Sequence, residues 1–238
     1  MSATLVLGDI ELDVIHKDIK NVHLSVHPPS GRVRIAAPAN TSQETLRAFA
    51  ISKIAWIRRQ QSSVLNQDRE PERLCIDRES HYLWGARYLM EVDELNAAPA
   101  IELSHRTIQL RVRPDASEES KREVLAQWYR DQVRQAVPDL LEKWQPLLQV
   151  NCERVIVRRM KTMWGSCTPA SSTIRLNTEL AKKPPECLEY IVVHELAHLI
   201  EPTHNENFVR IMDNALPRWR DHRDRLNELP VRQESWRY

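Results

Sequence analysis

Residues 187–200, CLEYIVVHELAHLI, are apolar on nearly every side of a helical wheel, yet they carry two histidines and a glutamate. A helix of this kind is normally buried inside a folded protein. Burial makes each polar side chain on it costly unless a partner offsets the lost hydration. Pro185 suits the first helical turn, where its missing N–H costs nothing, and Glu186 and Glu189 suit the positive end of the helix dipole. The question is therefore what the polar residues of this helix hold.

His194 and His198 are four apart, so their imidazoles leave one face of the helix a single turn from each other. Two neutral imidazoles in that arrangement can bind one zinc ion at about 2.0–2.1 Å. Glu195 is rotated by about 100° from His194, too far round for an easy third ligand. It can still lie beside the metal, within reach of the water there, which is the position of a general base. A catalytic zinc takes three protein ligands and keeps one position open. His204 is the candidate third, because Pro202 should end the helix near Glu201 and let the chain swing back. Glu206 and Asp213 downstream are the alternatives. One zinc per chain so placed activates water and polarises a carbonyl or phosphoryl oxygen, so hydrolysis is the natural reaction class.

A second dense stretch is RRMKTMWGSC, residues 158–167. Gly165 predicts a special backbone angle, hence a tight turn after a strand. In the functional reading this turn lines the site, with Trp164 beside it and Arg159 or Lys161 holding substrate or developing negative charge. Spacing by itself favours a packed tryptophan and a solvated basic face. Tyr190, four residues before His194, can reach the site, although core packing is the commoner role. Cys167 reads as a small buried hydrophobe before it reads as a reactive thiol. The run TIRLN, residues 173–177, is either an ordinary sheet strand or an edge for an extended peptide.

Composition excludes several classes. The 238 residues carry a formal charge of +1, which provides no overall field for nucleic acid or membrane. Local basic patches exist at Arg58 and Arg59 and in RWRDHRDR, residues 218–225, but Asp221 and Asp224 mark the latter as a solvated helix face and argue against nucleic acid. No Gly-rich phosphate loop is present, which excludes a P-loop enzyme. No apolar run approaches the roughly 18 residues of a spanning helix, so no membrane partner is expected. The N-terminus lacks a basic region and meets Asp9 and Glu11 early, unlike a signal peptide. Cys75, Cys152, Cys167 and Cys187 form no CxxC pair. A reduced, cytoplasmic protein is the expectation.

Alternating apolar residues predict strands in the first forty positions, including a hairpin turning at residues 28–31. A helix is expected over 40–65, then strands over 81–92 and 100–113. A long helix should run from about Ser117 to Leu148, bent or broken at Pro138. Two strands, the apolar helix and one or two further helices complete the chain. The fold class is α+β: a β-rich part over residues 1–115, joined by the long helix to a zincin-like part over 116–238 bearing the HExxH helix. The two may pack as one continuous domain.

Taken together, VHLSVHPPSGRVRIAAP, KTMWGSC and IRLNTELAKKPPECLEYIVVHELAHLIEPTHNENF resemble the YgjP-like metallopeptidases, a zincin family related to SprT and WLM proteins. The resemblance implies His194, His198 and His204 as zinc ligands and Glu195 as catalytic base, and it brings Trp164 to Cys167 near the site. The histidine spacing equals that of the metzincin pattern, but Glu201 stands where that pattern has glycine, so no metzincin assignment follows. The expected activity is zinc-dependent hydrolysis of a peptide or protein substrate. A zinc-dependent hydrolase of a nucleoside triphosphate and a zinc-stabilised interaction module are the alternatives. A compact pocket lined by Arg158, Arg159 and Lys161 would favour the nucleotide.

Overall fold

The computed structural model describes residues 2–27, 30–66, 69–70, 74–160, 163–229 and 231–232. The chain divides into two compact units, residues 1–71 with 230–238 and residues 72–229. The boundary expected near residue 115 falls inside the larger unit, at the start of its long helix. The architecture is α+β.

In the smaller unit, β1 (Ser2–Leu7), β2 (Ile10–Lys17), β3 (His23–His27) and β4 (Arg32–Pro38) form a sheet in the order β1-β2-β4-β3. β2 and β4 run parallel, while the outer pairs are antiparallel. Alternation sends Leu12, Val14, Val33, Ile35 and Ala37 to one face, where Leu46, Ala50 and Ile57 of the helices cover them. The predicted single helix is two, α1 (Gln43–Ser52) and α2 (Ile54–Asn66). Ser42 caps α1 by accepting from Thr45 N. The Ser52 hydroxyl donates to Phe49 O at 2.7 Å, a local bond that competes with the helix ladder where the two helices part. A short strand pair, β5 (Arg69–Glu70) with β13 (Val231–Arg232), completes the unit.

The larger unit holds two sheets and a helical layer. β6 (Ser80–Leu83), β7 (Ala86–Glu94), β8 (Ala100–Leu103) and β9 (Thr107–Val112) lie in the order β6-β7-β9-β8. The β6–β7 connection is a two-residue turn with φ 50° at Trp84 and 79° at Gly85, the left-handed pair that a tight hairpin requires. α3 (Glu118–Leu148) begins at Ser117, whose hydroxyl accepts from Ser120 N, and runs unbroken through Pro138. The expected break at Pro138 does not occur. Buried Leu125, Tyr129, Val133, Val137 and Trp144 form one stripe on both sides of the proline, and packing along that stripe holds the helix together.

β10 (Arg154–Arg158), β11 (Gly165–Thr168) and β12 (Thr173–Asn177) make the second sheet, in the order β10-β12-β11. β12 is parallel to β10 and antiparallel to β11. The 3-10 segment Thr178–Lys182 leads into α4 (Pro185–Ala197), followed by α5 (Glu206–Ala215) and α6 (Trp219–Glu228). α4 buries Cys187, Leu188, Tyr190, Ile191, Val192, Val193, Glu195, Leu196 and Ala197. It is the central helix of this unit, as its all-round apolarity predicts, touching α3, α5, α6, β11 and β12. Among the described residues, no helix is long and apolar enough to cross a membrane.

Candidate metal centre

α4 ends at Ala197, a turn before the position expected from Pro202. Leu199 N donates to Leu196 O and Ile200 N to Ala197 O, both at 3.0 Å, so the last turn tightens into i→i−3 bonding. Pro202 has no N–H with which to resume the helix. The chain then returns as a loop, and Asn205 caps α5 by accepting from Phe208 N at 3.0 Å.

The loop carries His204 to the two helix histidines. Its Nε2 lies 3.0 Å from His194 Nε2 and 3.1 Å from His198 Nε2. Among the described residues these three are the only histidine, cysteine or acidic group able to converge on one metal ion. Nitrogens held at about 2.0–2.1 Å by a single tetrahedral ion sit roughly 3.3 Å from one another, so the set fits one. His198 Nδ1 donates to Glu201 O at 3.0 Å, which leaves the Nε2 lone pair facing the cluster. Burial, reinforced by the neighbouring histidines, pushes His194 down to about 3, and burial also lowers His198. Both helix imidazoles are thus neutral, the form that ligates.

Phe208 holds the rings from behind. It stacks on His198 with centroids 4.6 Å apart, and meets His194 and His204 edge-on at 4.9 and 4.8 Å. It is 2% exposed. No sequence motif marked it; the signal was its place three residues beyond a helix cap, which turns it inward under His204.

Glu195 is buried, and among the described residues its Oε2 has no hydrogen-bond partner. Burial pushes its carboxyl up to about 8. A buried carboxylate with no partner is one that a cation beside it stabilises, which is the second respect in which the residues suit a metal. Gly165 stands against it. A Cβ there would lie 2.5 Å from Glu195 Oε1 and 2.9 Å from Cδ. The special angle expected at Gly165 is absent, since only Gly8, Gly31 and Gly85 among the glycines have positive φ. Gly165 opens strand β11, and what it provides is close approach.

Asn177, at the end of β12, secures the segment before that strand. Its side-chain amide donates to Met160 O at 2.9 Å and Met163 O at 2.8 Å, and its backbone N–H donates to Trp164 O at 2.9 Å. Sequence reasoning passed over Asn177 because a strand-terminal asparagine is common.

The remaining expected residues divide. Tyr190 sits edge-on to His194 at 5.7 Å and stacks on Trp219 at 6.3 Å, with its phenol pushed up to about 12 by burial. Trp164 lies next to Gly165, under Lys183 Nζ at 5.9 Å. Arg159 is exposed just beyond β10, and Lys161 lies outside the described residues. Asp213, an alternative ligand, accepts instead from Trp219 Nε1 at 2.8 Å and from Arg220. Glu206 is exposed at the start of α5. TIRLN is not a sheet edge: β12 is the middle strand, paired on both sides. β11 is an edge, with β12 as its only strand partner among the described residues. In α6, Arg218, Arg220 and Arg223 pair with Asp221, Asp213 and Asp224, which neutralises the basic run.

Among solved structures, the chain is similar to the metallopeptidase zymogen of Pyrococcus abyssi abylysin. The two are 29% identical with a TM-score of 0.37, over 41% of this chain and 99% of the other. It is also similar to the metallopeptidase zymogen of Methanocaldococcus jannaschii jannalysin, at 22% identity and a TM-score of 0.33, over 40% of this chain and 92% of the other. No curated protein matches it. A family model described as YgjP-like, metallopeptidase domain, matches residues 20–229, and the chain belongs to that YgjP-like family.

Proposed function

We propose that this metallopeptidase-family chain is a zinc-dependent peptidase, with one zinc held by His194, His198 and His204. The observation that carries the reading is that the returning loop brings His204 Nε2 within 3.0–3.1 Å of the Nε2 atoms of His194 and His198, beside the helix that also presents Glu195. Zinc bound there supplies Lewis acidity and lowers the pKa of a water toward about 7. Glu195 would take a proton from the water as its oxygen bonds to the scissile carbonyl carbon, and would pass that proton to the amide nitrogen as the C–N bond breaks. Among the described residues no strand pairs with β11 on the side away from β12, and that edge, running from Gly165 beside Glu195, would offer main-chain groups to an extended peptide.

The test is turnover by zinc-loaded protein on an unfolded protein substrate, with a panel of nucleoside triphosphates in parallel. Peptide bonds should be cleaved, cleavage should stop on chelation, and added zinc should restore it. Glu195→Gln should keep its metal while losing about 10²–10⁴-fold in turnover. Full turnover in that variant would reject Glu195 as the base. Hydrolysis confined to the nucleotides would reject the peptidase reading.

A further inference from the structure

Glu201 joins the second helix histidine to the loop that carries the third. Its carbonyl oxygen accepts from His198 Nδ1 at 3.0 Å. Its carboxylate faces the other way, into the returning loop. Oε1 accepts from Thr203 N at 3.2 Å and from Thr203 Oγ1 at 2.9 Å, while Oε2 accepts from Asn207 Nδ2 at 3.3 Å. Thr203 Oγ1 in turn accepts from Asn205 Nδ2 at 3.1 Å, and Asn205 is the cap of α5. One side chain therefore ties the residue before His204, and through it the helix that brings Phe208 beneath the three rings.

We infer that Glu201 is a positioning residue: its carboxylate fixes the 201–207 loop so that His204 is already in place when metal arrives. This rests on the metal-site reading above. The physical reason is preorganisation. A histidine on a helix is positioned by the helix, but a histidine on a loop loses conformational entropy on binding unless other bonds have already ordered it. Here His194 and His198 belong to α4 and its cap, and His204 alone lies in irregular chain. Glu201 does not itself approach the three nitrogens, since its carboxylate oxygens are taken up by Thr203 and Asn207.

The test is zinc affinity, measured on the full chain by competition with a chromophoric chelator. Glu201→Ala should weaken zinc binding about 10- to 100-fold, the range for loss of an outer-shell partner. Glu201→Gln keeps an acceptor for Thr203 and should fall between that variant and the parent. In a His204→Ala background, Glu201→Ala should cost much less affinity, because the ligand it positions is gone and only the support of His194 and His198 through Phe208 remains. A merely structural glutamate would lower the melting temperature of the metal-free protein and leave the affinity unchanged. Parent-like affinity in Glu201→Ala, or an equal loss in the His204→Ala background, overturns the inference while the ligand set stands. A parent chain that binds no zinc removes the ligand set and the inference together.

Discussion

Gly165 and Glu195 approach so closely that a methyl group on the glycine would sit 2.5 Å from the carboxylate Oε1. The first residue of an edge strand thereby walls in the one buried acid of the central helix. Gly165→Ala must displace the carboxylate or the strand, at a cost of about 1–3 kcal/mol for overpacking. Melting temperature should fall and turnover should drop, with zinc content kept, because no ligand is touched. In a Glu195→Ala background the same substitution should leave the melting temperature unchanged, since the colliding atoms are gone. An equal fall in both backgrounds would mean that Gly165 answers to some other neighbour.

The carboxyl of Glu195, raised to about 8 by burial, gives metal-free protein a defined pH response. Below its unfolded pKa, near 4.5, the group is protonated in both states and contributes nothing. Between there and about 8 the unfolded chain ionises while the folded one holds its proton, so stability falls as pH rises. Above 8 the full penalty, on the order of a few kcal/mol, is present and constant. His194 and His198, both lowered by burial, act in the opposite sense below their ordinary value of 6.5 but are common to parent and variant. Denaturant unfolding of chelated parent and chelated Glu195→Gln at pH 5 and pH 8.5 should therefore show the parent losing stability relative to the variant as pH rises. A parent–variant stability difference that is the same at the two pH values would place the carboxylate in a more polar setting than its burial indicates.

Phe208→Ala should cost about 3–5 kcal/mol of stability, as for other large aromatic truncations in a core. It should also weaken zinc binding, because all three imidazoles rest against that ring. Calorimetry and chelator competition on the same variant separate the two effects. Stability loss with unchanged affinity would reduce Phe208 to ordinary core packing.

Most of the centre was legible because its information is local. A four-residue spacing on a buried helix places His194 and His198 on one face whatever the tertiary fold. Pro202 was read correctly as a break but one turn late, since the sequence does not reveal that the final turn tightens into i→i−3 bonds. What escaped notice depends on long-range approach. Gly165 reads as a turn glycine until Glu195 is seen against it, and Phe208 reads as one apolar residue of an amphipathic helix. TIRLN read as a possible edge because strand order is not written in any single strand. The strands themselves were legible, as alternation fixes which side of each faces the core, but the smaller unit's helix parts at Lys53, a non-helical residue that propensity does not foresee.

Cys167 lies in the same strand as Gly165, two residues on, and its thiol is pushed up to about 11 by burial and then by the Glu195 carboxylate. At pH 8 about one thiol in a thousand is then ionised, against roughly a quarter of an unperturbed cysteine. The more basic thiolate is the better nucleophile by about tenfold, which offsets part of that deficit. Alkylation of Cys167 by iodoacetamide at pH 8 should therefore run at least about tenfold slower than that of free glutathione. Its rate should rise about tenfold per pH unit from 7 to 9.5, read by mass spectrometry at the Cys167 peptide. Labelling as fast as glutathione, or a rate flat across that range, would show an ionised thiol beside the site and reopen a chemical role for Cys167.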